Sequence, residues 1–260
     1  MALRHIAGAL LVGVLLGNSI SNHLSSRRVE EERNNNLSQK IVRAVNVEGI
    51  SQNCEKISLP EKIERDEAFI TILADRIAGY DYKILVSTRD YFKYKQMNKK
   101  TRHWANEDSI RYVNWVTYDD EVIRRTAKRL TKHLDSPKEK AQALLDFVHQ
   151  HVYMDKDDAN YVRYPLETMV ERCGNCEDFS VLGAALMKSI GIDVALISFR
   201  DHLALGINGN FSGRYYCVDG KKYYYAETTG TEWLRTRSNK KIGYMPSRYY
   251  PQDAQICIVK

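Results

Sequence analysis

Cysteine is scarce in this chain, which has five cysteines among 260 residues. So few cysteines exclude the disulfide frameworks that hold small secreted domains together, and the odd number leaves at least one thiol unpaired in a monomer. Internal repeats and low-complexity tracts are also absent, so no repeat array is expected. With 43% hydrophobic and 28% charged residues, the composition is that of a globular chain with one large domain, or one domain and an appendage.

A strong excess of one charge is lacking too. The chain has 39 basic and 33 acidic residues and a net charge of +6. Basic residues concentrate at 93–102 and 124–132, with acidic residues between and around these stretches. We interpret both stretches as solvated faces, so no nucleic-acid partner is predicted.

The N-terminus lacks an apolar run of the roughly 20 residues that a membrane-spanning helix needs. Its apolar part, residues 6–16, follows the basic Arg4 and His5 and has the length of a signal-peptide core. Small residues that suit cleavage come next: Gly17, Ser19 and Ser21. Residues 1–22 are therefore predicted to be a signal peptide or a short signal anchor, with membrane association through residues 6–22. The alternative is a buried N-terminal helix.

The rest of the chain divides into three predicted parts. Residues 23–55 are polar and form a linker, residues 56–118 form a small leading region that is partly strand, and residues 119–260 form the main domain. In the leading region, residues 81–95 and 109–120 have strand-like patterns. The protein is expected to be exported, or membrane-anchored with the main domain outside the cytoplasm.

Helices precede strands in the main domain. Apolar spacing predicts helices over 119–134 and 136–152, the second opened by a capping box, and a third helix from near Cys176 to Gly191. Strand-like runs follow at 193–199, 202–207, 215–218, 221–228 and 254–260, with the last at an edge. Asp219-Gly220 predicts a tight hairpin turn. This order predicts an α+β fold with helices packed on one side of an antiparallel sheet.

The pair Cys173 and Cys176 admits several kinds of chemistry. A thioredoxin-like redox pair should follow a buried strand, whereas residues 163–172 have the pattern of a helical turn. A zinc site needs a second pair of ligands. His149 and His151 do not supply it, because side chains two apart on a helix do not share a face. No metal and no cofactor is therefore predicted.

A nucleophilic cysteine is the remaining chemistry. It needs a lowered pKa, a base within hydrogen-bond reach and a group that orients the base. Cys176 at a helix N-terminus is placed to form a thiolate, and we expect Glu177 and Asp178 to point away from it. His202 is the candidate base, and Ala204 and Gly206 on its side of the strand leave room for a helix or a substrate. Glu227 is the candidate orienting group.

The residues around these positions resemble the transglutaminase-like superfamily, of prokaryotic type, whose members have a papain-like cysteine fold. The similarity covers roughly residues 110–245. The segments that carry it are YPLETM, GNCEDFSVLGAALMKSIGIDVALI, DHLALGI, YYYAETTG and KKIGYMP. The resemblance implies that Cys176 is the nucleophile, His202 the base and Glu227 the third member of a triad. Asn175 stands where the family usually has Asp, and Glu227 stands where many members have Asp.

These residues predict thiol-dependent acyl transfer on an amide or peptide bond, most simply hydrolysis of a protein or peptide substrate. The alternative is a catalytically silent binding module of the same fold at the membrane. In an oxidising compartment, a bond from Cys173 to Cys176 would silence the nucleophile, whereas a bond from Cys173 to Cys217 would leave it free.

Overall fold

A hairpin and a short helix come first in the computed structural model, which describes residues 69–97, 109–153, 161–229, 241–247, 249, 252 and 254–260. The elements are β1 (Phe69–Ile77), β2 (Tyr80–Ser87) and α1 (Thr88–Lys95). The Ser87 hydroxyl accepts the Asp90 N–H and starts the helix. The strand predicted over 81–95 is therefore wrong beyond Ser87. The buried Tyr91 and Tyr94 lie three residues apart, on one face of a helix.

Residues 109–115 form a 3₁₀ helix, Ser109–Trp115, where a strand was expected. Tyr112, Val113 and Trp115 all pack against the main core. A half-buried strand would turn neighbouring side chains to opposite faces, so it would leave Tyr112 or Val113 in water. Burial of both neighbours decides against the strand.

Four more helices form one layer of the main domain. They are α2 (Glu121–Leu130), α3 (Pro137–Val148), α4 (Pro165–Glu171) and α5 (Cys176–Lys188). The predicted capping box of α3 is confirmed, with Ser136 and Glu139 each accepting the other's backbone N–H. Helix α5 is buried over most of its circumference, as expected of a helix at the centre of a domain.

An antiparallel sheet of five strands forms the second layer. Its strands are β5 (Val194–Ser198), β6 (Leu203–Asn208), β7 (Tyr215–Val218), β8 (Lys221–Ala226) and β9 (Gln255–Ile258). The spatial order is β7-β8-β6-β5-β9, so β9 is an edge strand as predicted. Asp219 and Gly220 both have positive φ, which fits the predicted two-residue turn between β7 and β8. The α+β prediction is confirmed.

Helix α5 lies on one face of this sheet. A Cβ on Gly183 would come within 2.7 Å of the Leu205 side chain, so the helix and β6 are in close contact. The short strands β3 (Val152–Tyr153) and β4 (Cys173–Gly174) pair in parallel just before α5. They fix the direction from which the chain enters the helix.

The opposite face of the sheet carries a second, smaller core. It contains Ile197, Phe199, Ala204, Tyr225 and Tyr249. The room expected beside Ala204 and Gly206 is filled, because a Cβ on Gly206 would lie 3.1 Å from both Ile197 and Tyr223. Side chains of the neighbouring strands occupy this part of the sheet.

The predicted segments 1–22 and 23–55 lie outside the described residues. Among the residues that are described, none of the helices has the length and apolar character to cross a membrane.

Candidate active site

Helix α5 places Cys176 at its first position. Asn175 is the N-cap and accepts the Asp178 N–H at 3.3 Å, while the Asp178 carboxylate accepts the Asn175 N–H at 3.2 Å. This reciprocal box fixes the turn that carries the cysteine. Asn175, noted as a departure from the family pattern, therefore has the side chain that caps the helix.

Strands β6 and β8 bring His202 and Glu227 together. The two strands pair antiparallel, so the start of β6 lies beside the end of β8. His202 is the residue before β6 and Glu227 is the residue after β8. The His202 Nε2 lies 3.0 Å from both carboxylate oxygens of Glu227. Because Glu227 engages Nε2, Nδ1 is the ring nitrogen left for another partner.

Glu227 is held as a carboxylate by several donors. Oε2 accepts the Tyr225 hydroxyl at 2.8 Å, and Oε1 accepts the Thr229 hydroxyl at 2.7 Å and the Thr229 N–H at 3.1 Å. Burial opposes ionisation, but the hydrogen bond and charge of His202, helped by Thr229 and Tyr225, lower the pKa of Glu227 to about 2. A carboxylate that stays ionised can orient an imidazole and stabilise its protonated form.

Tyr249 fixes the plane of the imidazole. Its ring stacks on His202 with a centroid distance of 4.8 Å and an interplanar angle of 8°, and Phe199 stacks on its other side at 4.7 Å. The His202 side chain is 4% exposed. Glu227 at its edge and Tyr249 on its face therefore restrict the histidine to one orientation.

A buried polar link joins the three elements that carry the candidate site residues. Ser180, one helical turn after Cys176, donates to the Leu203 carbonyl at 2.9 Å and shares a hydrogen bond of 2.9 Å with Thr228. Leu203 follows His202 and Thr228 follows Glu227 in the chain. Ser180 thus ties the helix of the cysteine to the strand ends that carry the other two residues.

Cys176 is directed at Glu177 in this structure. The thiol donates a hydrogen bond to Glu177 Oε2 at 2.9 Å. The expectation that Glu177 points away from the sulfur is therefore wrong. Burial and then the Glu177 carboxylate raise the pKa of the Cys176 thiol well above its ordinary value, and an opposing contribution comes from the backbone of Leu203.

The Glu177 carboxylate covers the N-terminal end of α5. It accepts a hydrogen bond from the Cys176 thiol and also interacts with the backbone N–H of Glu177. Burial raises the pKa of Glu177, while the Cys176 thiol, this N–H and the charge of His202 act in the opposite direction. Free N–H groups at a helix N-terminus are suited to an oxyanion, so Glu177 occupies part of the space that a substrate carbonyl would need.

Tyr112 of the 3₁₀ helix faces the same region. Burial, followed by the charges of Glu177, Cys176 and Asp178, raises the pKa of its hydroxyl. The phenol therefore stays protonated and can donate a hydrogen bond. Its position could not be inferred from the sequence, because residues 109–120 have the pattern of a strand.

The other predictions for the cysteines have a clear outcome. No disulfide joins Cys173 to Cys176 or to Cys217 in this structure, so neither disulfide considered for Cys173 is formed. No cluster of metal-ligating side chains occurs among the described residues. The segment before Cys173 is helix α4, as the argument against a redox pair expected.

Residues 124–237 match the family model of the transglutaminase-like superfamily. Over this segment the chain is similar to the transglutaminase-like superfamily. The match contains Cys176, His202 and Glu227 and lies within the predicted domain of residues 119–260. The resemblance seen in the sequence is thereby confirmed. The comparisons with curated proteins and with solved structures returned no match.

Sequence reasoning missed several residues that surround Cys176, His202 and Glu227 in the candidate site. Ser180, Thr229 and Tyr249 give no signal of their own, since each is an ordinary polar or aromatic residue in the sequence. Tyr225 could have been found, because alternation along β8 puts it on the same face as Glu227. Its hydroxyl does reach the Glu227 carboxylate.

Proposed function

We propose that this protein is a cysteine-dependent acyl transferase that hydrolyses an amide or peptide bond. The observation that carries the proposal is the buried pair of His202 and Glu227, with Nε2 3.0 Å from both carboxylate oxygens. An imidazole held at one nitrogen and stacked on its face is prepared to exchange protons at the other nitrogen.

The reaction begins when a substrate carbonyl displaces the Glu177 carboxylate from the end of α5. The Cys176 thiol then transfers its proton to His202 Nδ1, and the thiolate attacks the carbonyl carbon. Backbone N–H groups at the start of α5 and the Tyr112 hydroxyl are the donors available to the oxyanion.

Collapse of the tetrahedral intermediate breaks the C–N bond. His202 gives its proton to the departing amine, which leaves an acyl thioester on Cys176. A water molecule, deprotonated by His202, attacks this thioester and releases a carboxylic acid and the free thiol. Throughout both halves Glu227 stays ionised and stabilises the protonated imidazole.

The substrate is proposed to be a protein or peptide outside the cytoplasm. Residues 1–22 support this, because they have the charge and apolar length of a signal peptide or signal anchor. Separation of membrane and soluble fractions, with sequencing of the mature N-terminus, tests it. An unprocessed chain found only in the cytoplasm would contradict this part of the proposal.

The experiment that tests the chemistry is the pH dependence of Cys176 alkylation in the reduced full-length protein. Peptide mass spectrometry follows the label at Cys176, and Cys176→Ala gives the background. We expect His202→Ala to slow the labelling strongly at neutral pH. His133→Ala, which removes an exposed histidine elsewhere, is the matched control and should leave the rate unchanged.

A catalytically silent binding module is the second candidate. The observation that favours it is the Cys176–Glu177 hydrogen bond, which holds the sulfur as a thiol. For this alternative, His202→Ala would have no effect on the rate of thiol labelling. A rate that depends on His202 excludes it.

A further inference from the structure

Two buried charges, Arg163 and Asp178, and two partly buried ones, Lys95 and Glu171, connect α1 to the helix of the nucleophile. Lys95 Nζ lies 2.5 Å from Glu171 Oε1, Arg163 Nε lies 2.8 Å from Glu171 Oε2, and Arg163 Nη1 lies 2.9 Å from Asp178 Oδ2. The two cations and two carboxylates alternate and balance. We call these residues the charge chain.

Asp178 is the end of the charge chain nearest the active site. Its Oδ1 accepts the backbone N–H of Arg163 at 2.7 Å, and its Oδ2 accepts the Arg163 side chain and the Asn175 N–H. A Cβ placed on Gly174 would come within 2.7 Å of the Asp178 side chain, so Asp178 also packs on the backbone just before Cys176. The carboxylate therefore fixes both sides of the turn that holds the sulfur.

Burial makes Arg163 necessary for this arrangement. The side chains of Asp178 and Arg163 are 1% and 6% exposed. A carboxylate buried to this extent needs a cation and hydrogen-bond donors, because removal of one partner leaves an uncompensated charge. Left unbalanced two residues from Cys176, that charge would also oppose the thiolate.

The charge chain continues to Lys95 in the leading part of the protein, so the charge balance of Asp178 also depends on that part. Glu171 accepts the Tyr91 hydroxyl at 2.9 Å as well as Lys95, and Lys95 Nζ donates to the Tyr161 hydroxyl at 3.0 Å. Without Lys95, Glu171 would be balanced by Arg163 alone. Arg163, which contacts both carboxylates, would then be the one cation of the charge chain left to balance Glu171 and Asp178 together.

We propose that Arg163 is a positioning residue for the Cys176 nucleophile, and that Lys95 on α1 acts on the active site through it. The proposal rests on the function proposed above, since it concerns the reactivity of the same sulfur. Helix α1 lies before the matched family segment. The proposal gives it an influence on the reactivity of Cys176 through Lys95.

The test uses Arg163→Met, Arg163→Lys and Lys95→Met in the full-length protein. The rate of Cys176 alkylation is measured against pH, and hydrogen exchange is followed in peptides that cover residues 174–180. Tyr91→Phe is the matched control, because it removes one neutral donor from the same Glu171 carboxylate. The melting temperature is recorded for every variant, and labelling is done well below it.

We expect Arg163→Met to slow alkylation at neutral pH by tenfold or more, to displace the pH profile upward and to speed exchange at residues 174–180. Arg163→Lys should recover most of the rate, because it returns the charge. Lys95→Met should give an intermediate loss with the same upward displacement, and Tyr91→Phe should stay within twofold of the wild type.

A melting temperature that falls while the pH profile and the exchange at 174–180 stay unchanged would overturn the proposal, because Arg163 would then be structural only. Failure of the proposed function gives a different result, namely a wild-type thiol that is slow and indifferent to His202→Ala. In that case hydrogen exchange in the Arg163 and Lys95 variants alone decides whether the charge chain holds the turn.

Discussion

Glu177→Gln should make Cys176 more reactive, because it removes the charge that holds the thiol proton. The carboxylate accepts a hydrogen bond from the thiol at 2.9 Å and is itself partly buried. A hydrogen bond to a charged group contributes about 1.5–3 kcal/mol, and one pKa unit corresponds to about 1.4 kcal/mol. The substitution should therefore lower the pKa of the thiol by about one to two units.

The gain in alkylation rate is smaller than the gain in thiolate. A pKa lower by one to two units raises the thiolate fraction about 10- to 100-fold while the thiol still titrates above the assay pH. Intrinsic nucleophilicity falls with the pKa, with a Brønsted slope of about 0.4–0.5. The net expectation is an increase of about 3- to 16-fold at neutral pH.

The assay is labelling with iodoacetamide, which is neutral and is not steered by the removed charge. Glu139→Gln is the control, since it takes a carboxylate from the first turn of α3 and leaves Cys176 untouched. An unchanged or slower rate in Glu177→Gln, with no downward displacement of the pH profile, would refute the reasoning. Glu177 would then orient the Cys176 side chain without raising the pKa of its thiol.

Three further predictions concern the support of His202. The pKa of Glu227 is lowered from 4.5 to about 2 on folding, so its stabilising contribution is complete above the unfolded value and is lost as the pH falls through the folded one. This contribution is on the order of 3 kcal/mol, and Glu227→Gln should flatten the pH dependence of urea unfolding below pH about 4.5; a curve parallel to the wild type would contradict it. Tyr249→Ala should reduce the His202-dependent part of Cys176 labelling, whereas Tyr249→Phe keeps the stacked ring and should retain it; equal loss in both would assign the effect to the hydroxyl. Ser180→Ala leaves the Leu203 carbonyl without its hydroxyl donor and should destabilise the fold by about 1–3 kcal/mol in chemical unfolding, and no change would mean that the link is not needed to hold the strand ends.

Local rules were sufficient for most of the second half of the chain. Ser136, Pro137 and Glu139 start α3 through bonds within four residues, and Asp219-Gly220 turns the chain between β7 and β8 through its own backbone angles. Such features depend on residues close together in the chain, so they can be predicted from the sequence. The same holds for the start of α5 at Cys176.

The leading region was harder because two local patterns compete there. Residues 88–95 have alternating Lys and Tyr that suit a strand, but the Ser87 cap and the burial of Tyr91 and Tyr94 on one side produce a helix. Residues 109–115 bury adjacent side chains against a core built from distant parts of the chain. Propensity gives way to tertiary contact in both places.

The sequence by itself determined the α+β order, the helix that begins at Cys176 and the three residues of the candidate triad, because each depends on local periodicity, capping or a family motif. Only the tertiary structure decided what surrounds them. The stacking of Tyr249 on His202 and the charge chain from Lys95 to Asp178 join residues from separate elements. Such contacts depend on how helices and strands pack on one another, and this packing cannot be predicted from the side-chain pattern of a single segment.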